Sequence, residues 1–365
     1  MLPCLRVMVG AAEVSVSAES AVVMIADTRQ VVFEKNAHEK RGIASTTKIM
    51  SSIIALESRK SHLTTVVKAE DIAVEGTSLG LKAGDKVSTI TLVKGMLLSS
   101  GNDAANVTAT FIAGSKESFA ELMNEKAKSI GMLSTNFVNP SGLTESGHYS
   151  TAYDMALLGS YAIKNPVFSS VCSMKSCSIS YGDRGSATLY NHNKFLNRFD
   201  GAFGIKTGFT KASGRCLVTA AQRKGVTLIC VTLNAPDDWH DHEKLMNYVF
   251  SQIKTIKYEV TPPQIAVTGS SRLQISTDVS REIIIPYIGE MPQITTSFYV
   301  PHFLYAGVEA GDVVGTACVI SSGEEIYRIP LISKENAEHK SIPKTNKPID
   351  KIKEILRKGL SKRQT

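Results

Sequence analysis

Apolar runs at Ala21 to Ala26 and Val31 to Lys35 flank Asp27-Thr28-Arg29-Gln30, a pattern that predicts a β-hairpin. Ile49-Met50 followed by Ile53-Ile54-Ala55-Leu56 predicts a buried helix. A second helical run, Leu92 to Leu98, ends in Ser99-Ser100-Gly101-Asn102-Asp103-Ala104-Ala105-Asn106. There the glycine breaks the helix and Asn102 or Asp103 can cap the next one. Residues 116–170 read as helix, loop, helix, with loops at Asn139-Pro140-Ser141-Gly142-Leu143 and Gly147-His148-Tyr149-Ser150-Thr151. Strand patterns follow at Phe203 to Thr210, Leu217 to Ala221 and Thr227 to Leu233, the last two joined at Arg223-Lys224-Gly225. Pro262-Pro263 then opens a stretch of short strand-like runs, among them Val313 to Ala317 and Glu325 to Ile332, which reads as a separate β-rich module with a spacer or interaction role. The tail places Ile349, Ile352, Ile355, Leu356 and Leu360 on one helical face, with Lys351, Lys353, Arg357 and Lys358 on or beside the other.

Composition adds limits to this pattern. At 365 residues, 43% hydrophobic and 21% charged, the chain can bury one substantial core and a smaller second one. No apolar run reaches the roughly 18 residues of a membrane span, so any membrane attachment is expected to be peripheral. The formal charge is 41 − 34 = +7, and residues 334–365 hold ten Lys/Arg against four Asp/Glu, so the rest of the chain carries about +1. A nearly neutral body with a basic tail argues against nucleic acid as the main partner. The six cysteines show no CxxC spacing. Cys216, Cys230 and Cys318 lie in strand patterns as small buried hydrophobes, whereas Cys172 and Cys177 are close enough for a local disulfide. Residues 1–20, apolar from Leu2 to Ala12 but interrupted by Arg6, fit either a residual signal peptide or an N-terminal extension.

Candidate chemistry begins at Ser45, three residues before Lys48 at the mouth of the first buried helix. On a helix this spacing puts the amine beside the hydroxyl, and the orphan N–H groups of a helix start favour developing negative charge. That makes Ser45 a candidate activated nucleophile. S-x-x-K also occurs at Ser251/Lys254 and Ser341/Lys344, and S-x-N occurs at Ser134/Asn136 as well as Ser100/Asn102, so neither pattern decides alone. By itself the Ser100 turn reads either as a capped helix junction or as a hydroxyl and an amide projecting into a cleft. Lys206-Thr207-Gly208 is the single K-[S/T]-G; its glycine allows close approach to the backbone, and its cation suits a carboxylate. His148 reads as a structural loop residue. His240 and His242 sit two apart on different helix faces within an acidic segment, which reads as a solvated helix N-terminus rather than a metal site.

S-x-x-K, S-x-N and K-T-G in that order form the set found in class A β-lactamases and penicillin-binding proteins. With Glu34 to Arg41, Asn139 to Leu143, His148 to Ala152 and Gly204 to Thr210, residues 21–333 resemble the D-alanyl-D-alanine carboxypeptidases, low-molecular-mass penicillin-binding proteins of serine peptidase family S11. The resemblance implies an α/β fold: a β-lactamase/transpeptidase-like catalytic domain over 21–256, with an antiparallel sheet flanked by helices, and a small all-β domain over 257–333, followed by the basic tail at 334–365. It implies Ser45 as the acylated serine, with Lys48 and Ser100 handling protons. Asn102 would bind substrate peptide, while Lys206, Thr207, Gly208, Phe209 and Thr210 would line the substrate carboxylate and oxyanion side, with oxyanion donors at the Ser45 and Phe209 N–H groups. No metal or cofactor is implied. The implied partners are peptidoglycan stem peptides, β-lactams as covalent inhibitors, and an anionic membrane surface met by the tail, in an extracytoplasmic, wall-facing location. Two departures stand out. His192 falls where many members carry an arginine, so that it would offer a weaker, pH-dependent charge. Pro236 to His242 is acidic where some members place a carboxylate-binding arginine. A β-lactamase of the same fold and a non-catalytic wall-binding scaffold are the competing readings. Against the first, no Glu-x-x-x-Asn stands between Ser100 and Lys206.

Overall fold

A computed structural model describes residues 14–340 and residue 352. Its centre is a five-stranded antiparallel sheet in the order Val31–Lys35, Ser20–Ile25, Val226–Leu233, Gly214–Arg223, Ala202–Thr210. The first two strands pair as the expected hairpin. Every residue of Ser20–Ile25 is buried, because the strand is covered on both faces. Successive side chains alternate between faces. Val22 and Met24 therefore enter one core with the main helices, and Ala21, Val23 and Ile25 enter another with helix Asp238–Gln252.

The larger core is built on helix Lys48–Glu57, whose first eight residues are all buried. Around it lie Thr89–Leu97, Asn102–Ala113, Lys116–Ile130, Ala152–Ala162 and Pro166–Ser173. Their starts follow from sequence. Ser88, Ser115, Thr151 and Asn165 each accept a hydrogen bond from a first-turn backbone N–H. The region expected to hold two helices after residue 116 contains three, because Asn165-Pro166 caps and restarts the chain after Ala162.

Of the described residues, 14–256 and 284–291 form one compact unit; 257–283 and 292–340 form the other. Described by itself, the second unit has a four-stranded antiparallel sheet, Thr277–Val279, Glu324–Ser333, Val313–Ser321, Ile294–Tyr299, and a three-stranded one, Gln274–Ile275, Ile265–Thr268, Leu304–Tyr305. A small core of Ile265, Val267, Ile275, Val314 and Ala337 holds it. No helix among the described residues is long and apolar enough to cross a membrane. Apart from Ile352, the expected tail helix and the possible signal segment before Val14 lie outside the described residues.

One open possibility is closed and one expectation is corrected. Cys172 and Cys177 are both free thiols, and burial pushes the Cys172 thiol up to about 12. The acidic segment near Asp237 does open a helix, but it is not a solvated end: Asp238, Asp241 and His242 are buried. Asp241 accepts from the backbone N–H groups of Ser17 and Ala18 at 2.9 Å each and from the Ser17 hydroxyl at 2.7 Å. Asp238 accepts from Arg215 Nε and Nη2 at 3.0 and 2.8 Å. His242 lies between the Thr219 and Thr232 hydroxyls at 2.7 and 2.9 Å, which ties the helix to two neighbouring strands. Burial lowers its pKa to about 3.

In the unfolded chain that imidazole takes up a proton near pH 6.5, whereas the folded state resists protonation down to about 3. Between those limits the unfolded state binds more protons, so stability falls as pH falls. This group should contribute a slope of about 1.4 kcal/mol per pH unit to urea unfolding, and His242→Gln should remove it. An unchanged slope in the variant would show that the imidazole titrates normally in the fold.

Candidate active site

Ser45 lies in a 3₁₀ turn, Ala44–Thr47, that runs directly into helix Lys48–Glu57. It therefore precedes the α-helix instead of starting it. In a 3₁₀ turn positions i and i+3 eclipse, so the Ser45–Lys48 spacing brings the two side chains together. Lys48 Nζ donates to Ser45 Oγ at 2.9 Å, to Asn102 Oδ1 at 2.7 Å and to the Ser141 carbonyl at 2.6 Å. The ammonium is fully buried. Burial first, and then the charge of Lys206, holds its pKa well below the usual lysine range, with Asp103 pulling the other way. Once the amine is neutral its lone pair needs a donor. Of its three partners only Ser45 carries a hydrogen to give. A neutral Lys48 amine could therefore accept a hydrogen bond from the Ser45 hydroxyl.

The turn is held in an unusual backbone conformation. Ala44 has φ +47°, in the left-handed region that side chains disfavour. The Ala44 carbonyl accepts from the Thr47 hydroxyl at 2.8 Å. Thr47 Oγ1 in turn lies 2.8 Å from His148 Nε2, and His148 Nδ1 accepts from the Val138 N–H at 3.1 Å. With Nδ1 accepting, Nε2 carries the hydrogen and donates to Thr47. Burial keeps this ring neutral, with its pKa at about 4. His148 is thus the structural residue expected. Gly142, at φ +83°, packs on the same carbonyl, where an added Cβ would stand 1.9 Å from the Ala44 oxygen.

Ser100 is buried and, at φ +59°, also left-handed. This tight corner turns the chain from helix Thr89–Leu97 into helix Asn102–Ala113. The expected capping role of Asn102 or Asp103 is not what the structure has. Gly101 occupies the cap, with no side-chain capping bond. The Asn102 amide spans from Lys48 to the Glu75 carbonyl, donating to the latter at 2.6 Å. Asp103 accepts from the Ser78 hydroxyl at 2.6 Å and from the Leu79 and Leu81 N–H groups at 2.7 and 3.0 Å, fixing the loop that borders Asn102.

Edge strand Ala202–Thr210 closes the other side. A Cβ on Gly208 would stand 3.0 Å from the Ser45 N and 3.1 Å from both the Thr46 N and the Ile43 O. Only glycine lets the strand backbone come so close to the nucleophile turn. Lys206, two residues back, is fully buried; its Nζ donates to the Thr207 carbonyl at 2.8 Å and to Thr207 Oγ1 at 3.4 Å. Burial brings its pKa to about 7. Thr210 Oγ1 donates to Ser213 Oγ at 3.0 Å and accepts from Thr144 Oγ1 at 3.2 Å. Phe209 is 64% exposed. His192 donates its backbone N–H to the Leu98 carbonyl at 3.1 Å. Its imidazole is held below the ordinary histidine value by burial and then by the Lys206 charge.

Ser45, Lys48 and Asn102 are joined by direct hydrogen bonds, with Gly208 against the turn. The rival motifs are not drawn in. Ser251 is exposed near the end of helix Asp238–Gln252, and its hydroxyl donates to the Tyr248 carbonyl at 2.6 Å. Asn136 bridges in sequence-local fashion to Tyr149, and Ser341 lies outside the described residues. No cluster of three metal-ligating side chains occurs among the described residues. Sequence reasoning missed Asp103 and the Ser141 carbonyl; the first was legible only as a neighbour of Asn102, and the second carries no side-chain signal. Gly208→Ala should slow acylation of Ser45 by a fluorescent penicillin at least about 100-fold, the scale of losing one oxyanion donor. Wild-type acylation in this variant would contradict the close-approach argument.

Known proteins resemble this chain in sequence and in fold. The family model for D-alanyl-D-alanine carboxypeptidases, peptidase S11, matches residues 7–237. The D-alanyl-D-alanine carboxypeptidase DacF of Bacillus subtilis is 30% identical over 337 residues, covering 89% of this chain and 87% of that protein. DacC of Escherichia coli is 34% identical over 346 residues, covering 89% and 85%. The crystal structure of DacD from Francisella tularensis superposes with a TM-score of 0.65 at 27% identity, covering 92% of this chain and 97% of that one. A shared fold, three motifs in one order and a family match across most of the sheet-bearing unit lead to one conclusion: this chain belongs to the S11 peptidases, the D-alanyl-D-alanine carboxypeptidase family.

Proposed function

We propose that this protein is a serine D-Ala-D-Ala carboxypeptidase that removes the terminal D-alanine from peptidoglycan stem peptides through an ester on Ser45. The observation that carries the reading is the Lys48 amine, buried, without a carboxylate partner and 2.9 Å from the Ser45 hydroxyl. Ser45 Oγ attacks the carbonyl between the two D-alanines as its proton passes to Lys48. Collapse of the tetrahedral intermediate returns a proton, by way of Ser100, to the departing amine, and D-alanine leaves. Water then cleaves the ester and Ser45 regains its hydrogen. The backbone N–H groups of Ser45 and Phe209 serve as oxyanion donors, each of a kind worth roughly 3 to 4 kcal/mol. Asn102 holds the peptide, and protonated Lys206, with Thr207 and Thr210, holds the terminal carboxylate. His192 contributes a neutral hydrogen-bonding group at that end.

β-Lactams mimic the scissile amide and acylate the same serine. The enzyme works outside the cytoplasm facing the wall. The tail, net +6 over residues 334–365, meets an anionic membrane at roughly 1 kcal/mol per basic residue near the surface. Labelling with a fluorescent penicillin separates the readings. A long-lived adduct, absent in Ser45→Ala, together with D-alanine release from a stem pentapeptide, supports the carboxypeptidase. Rapid turnover of penicillin points to a β-lactamase, and no adduct at all to a scaffold.

The two lysines also fix a pH profile. Lys48 must be neutral to accept a proton, and Lys206 must be charged to attract the carboxylate. Activity should therefore rise as Lys48 loses its proton and fall as Lys206 does, near pH 7 in the free enzyme. Lys206→Arg, charged at all these pH values, should retain measurable activity and shift or abolish the falling limb of kcat/KM. A falling limb that stays near pH 7 in this variant would assign it to another group.

A further inference from the structure

The second unit displays a patch that the chemistry at Ser45 does not use. Tyr299, Phe303 and Tyr305 are 63, 47 and 73% exposed, with Val300 beside them. The Phe303 and Tyr305 rings meet edge to face, their centroids 5.4 Å apart. They sit on the loop that links strands Ile294–Tyr299 and Leu304–Tyr305, each at the edge of its sheet. Seventeen consecutive residues, 292–308, contain no Asp, Glu, Lys or Arg, in a chain that is 21% charged. The run itself brings no ion into an apolar layer; the charge beside it is Arg328, 5.7 Å from the Tyr299 ring centroid and paired with Glu325, so Phe303 and Tyr305 are the rings placed to insert deepest.

The path of the chain says where the described residues end relative to this loop. Tyr305 pairs with Thr268, and Ala306 donates its N–H to the Thr268 carbonyl at 2.8 Å. The last described segment returns to the same place. Gly307 N donates to the Ala337 carbonyl at 2.7 Å, Ala337 N to the Val308 carbonyl at 2.8 Å, and Lys340 N to the Gly269 carbonyl at 2.8 Å. The chain therefore leaves the module beside Tyr305. The 25 residues that follow, 341–365, carry eight Lys/Arg against two Asp/Glu, 8 − 2 = +6. A basic sequence that begins next to exposed phenol and phenyl rings is the composition that suits one surface offering both anions and an apolar boundary. Tyr and Phe suit the boundary between headgroups and acyl chains. A saccharide site would set its aromatic platform among carboxylates or amides, and the segment Tyr299–Tyr305 supplies neither.

We propose that the Tyr299–Tyr305 loop inserts into the interfacial layer of an anionic bilayer, as a second contact beside the tail. The proposal rests on the reading of the tail as membrane-facing, and the two are separable by salt. Tail attraction is screened at about 1 M salt, where the Debye length is roughly 3 Å, whereas apolar insertion is not.

The test uses the full chain, a chain lacking residues 341–365, and the triple variant Tyr299→Ser, Phe303→Ser, Tyr305→Ser, sedimented with phosphatidylglycerol/phosphatidylcholine vesicles. Penicillin labelling at Ser45 checks that each remains folded. The triple variant should bind about tenfold more weakly, with the deficit persisting in high salt. The tail deletion should lose the salt-sensitive part of binding. In Phe303→Trp, the introduced indole should shift to the blue on vesicles and be quenched by brominated acyl chains, beyond the background of Trp239 in the unmodified chain. If the full chain binds but the indole is neither shifted nor quenched, the loop stays in water and the proposal fails while the tail reading stands. If the deletion binds as well as the full chain, the tail reading fails instead. Binding of the full chain to wall glycan but not to vesicles, lost in the triple variant, would replace the bilayer with a saccharide and overturn the proposal. Failure of the full chain to bind either would overturn both readings.

Discussion

Two lysine amines buried within one site, neither facing a carboxylate at hydrogen-bond distance, are the constraint on which the rest of the catalytic unit depends. Moving an ammonium out of water costs several kcal/mol even after relaxation, so burial favours the neutral amine. Lys48 and Lys206 each feel this, and the charge of Lys206 adds to the pressure on Lys48. Asp103 opposes it, but its carboxylate is occupied by Ser78, Leu79 and Leu81. The outcome is one lysine whose pKa is held well below the ordinary range, beside another brought to about 7, the paired perturbation from which the proposed base and carboxylate-binding roles are argued.

Holding those amines together takes a scaffold that tolerates local strain. The corners at Ala44 and Ser100 both adopt positive φ without being glycine, at a cost of order 1–3 kcal/mol each. Each is over-determined by its surroundings. Ala44 is pinned by Thr47, His148 and the close approach of Gly142. Ser100 is fixed between two helices, next to Gly101, whose N–H reaches the Gly95 carbonyl at 3.1 Å. The rigid elements behind them, helix Lys48–Glu57 and the double-faced sheet, convert core packing into side-chain position.

What was legible in the sequence follows the range of each interaction. The Ser45–Lys48 pair is local, three residues apart in one turn, and the spacing alone predicted the contact. Lys206 and Gly208, two apart in a strand, lie on one face for the same reason. The hairpin at Ala21 and the β-rich second unit were readable from alternation and turn residues. Contacts that cross the chain were not. Nothing near Asp241 announces that its carboxylate receives the N–H groups of Ser17 and Ala18, more than 220 positions away, so an acidic helix start was read as solvated when it is buried. Asn102 looked like a cap because residues of its kind at a glycine break usually are; its amide instead joins Lys48 to Glu75. The lowered pKa of His192 comes from its burial and then from Lys206, and neither is written near it in sequence.

The central claim is that Lys48 is an uncharged base because it is buried beside Lys206. Side-chain NMR of the chain labelled at lysine Nζ and Cε, titrated with Ser45 unmodified, tests it most directly. The account predicts a Lys48 amine that loses its proton well below the ordinary lysine range, with its midpoint rising when Lys206→Gln removes the neighbouring charge. A Lys48 signal that stays protonated until about pH 10, unmoved by that substitution, would contradict it.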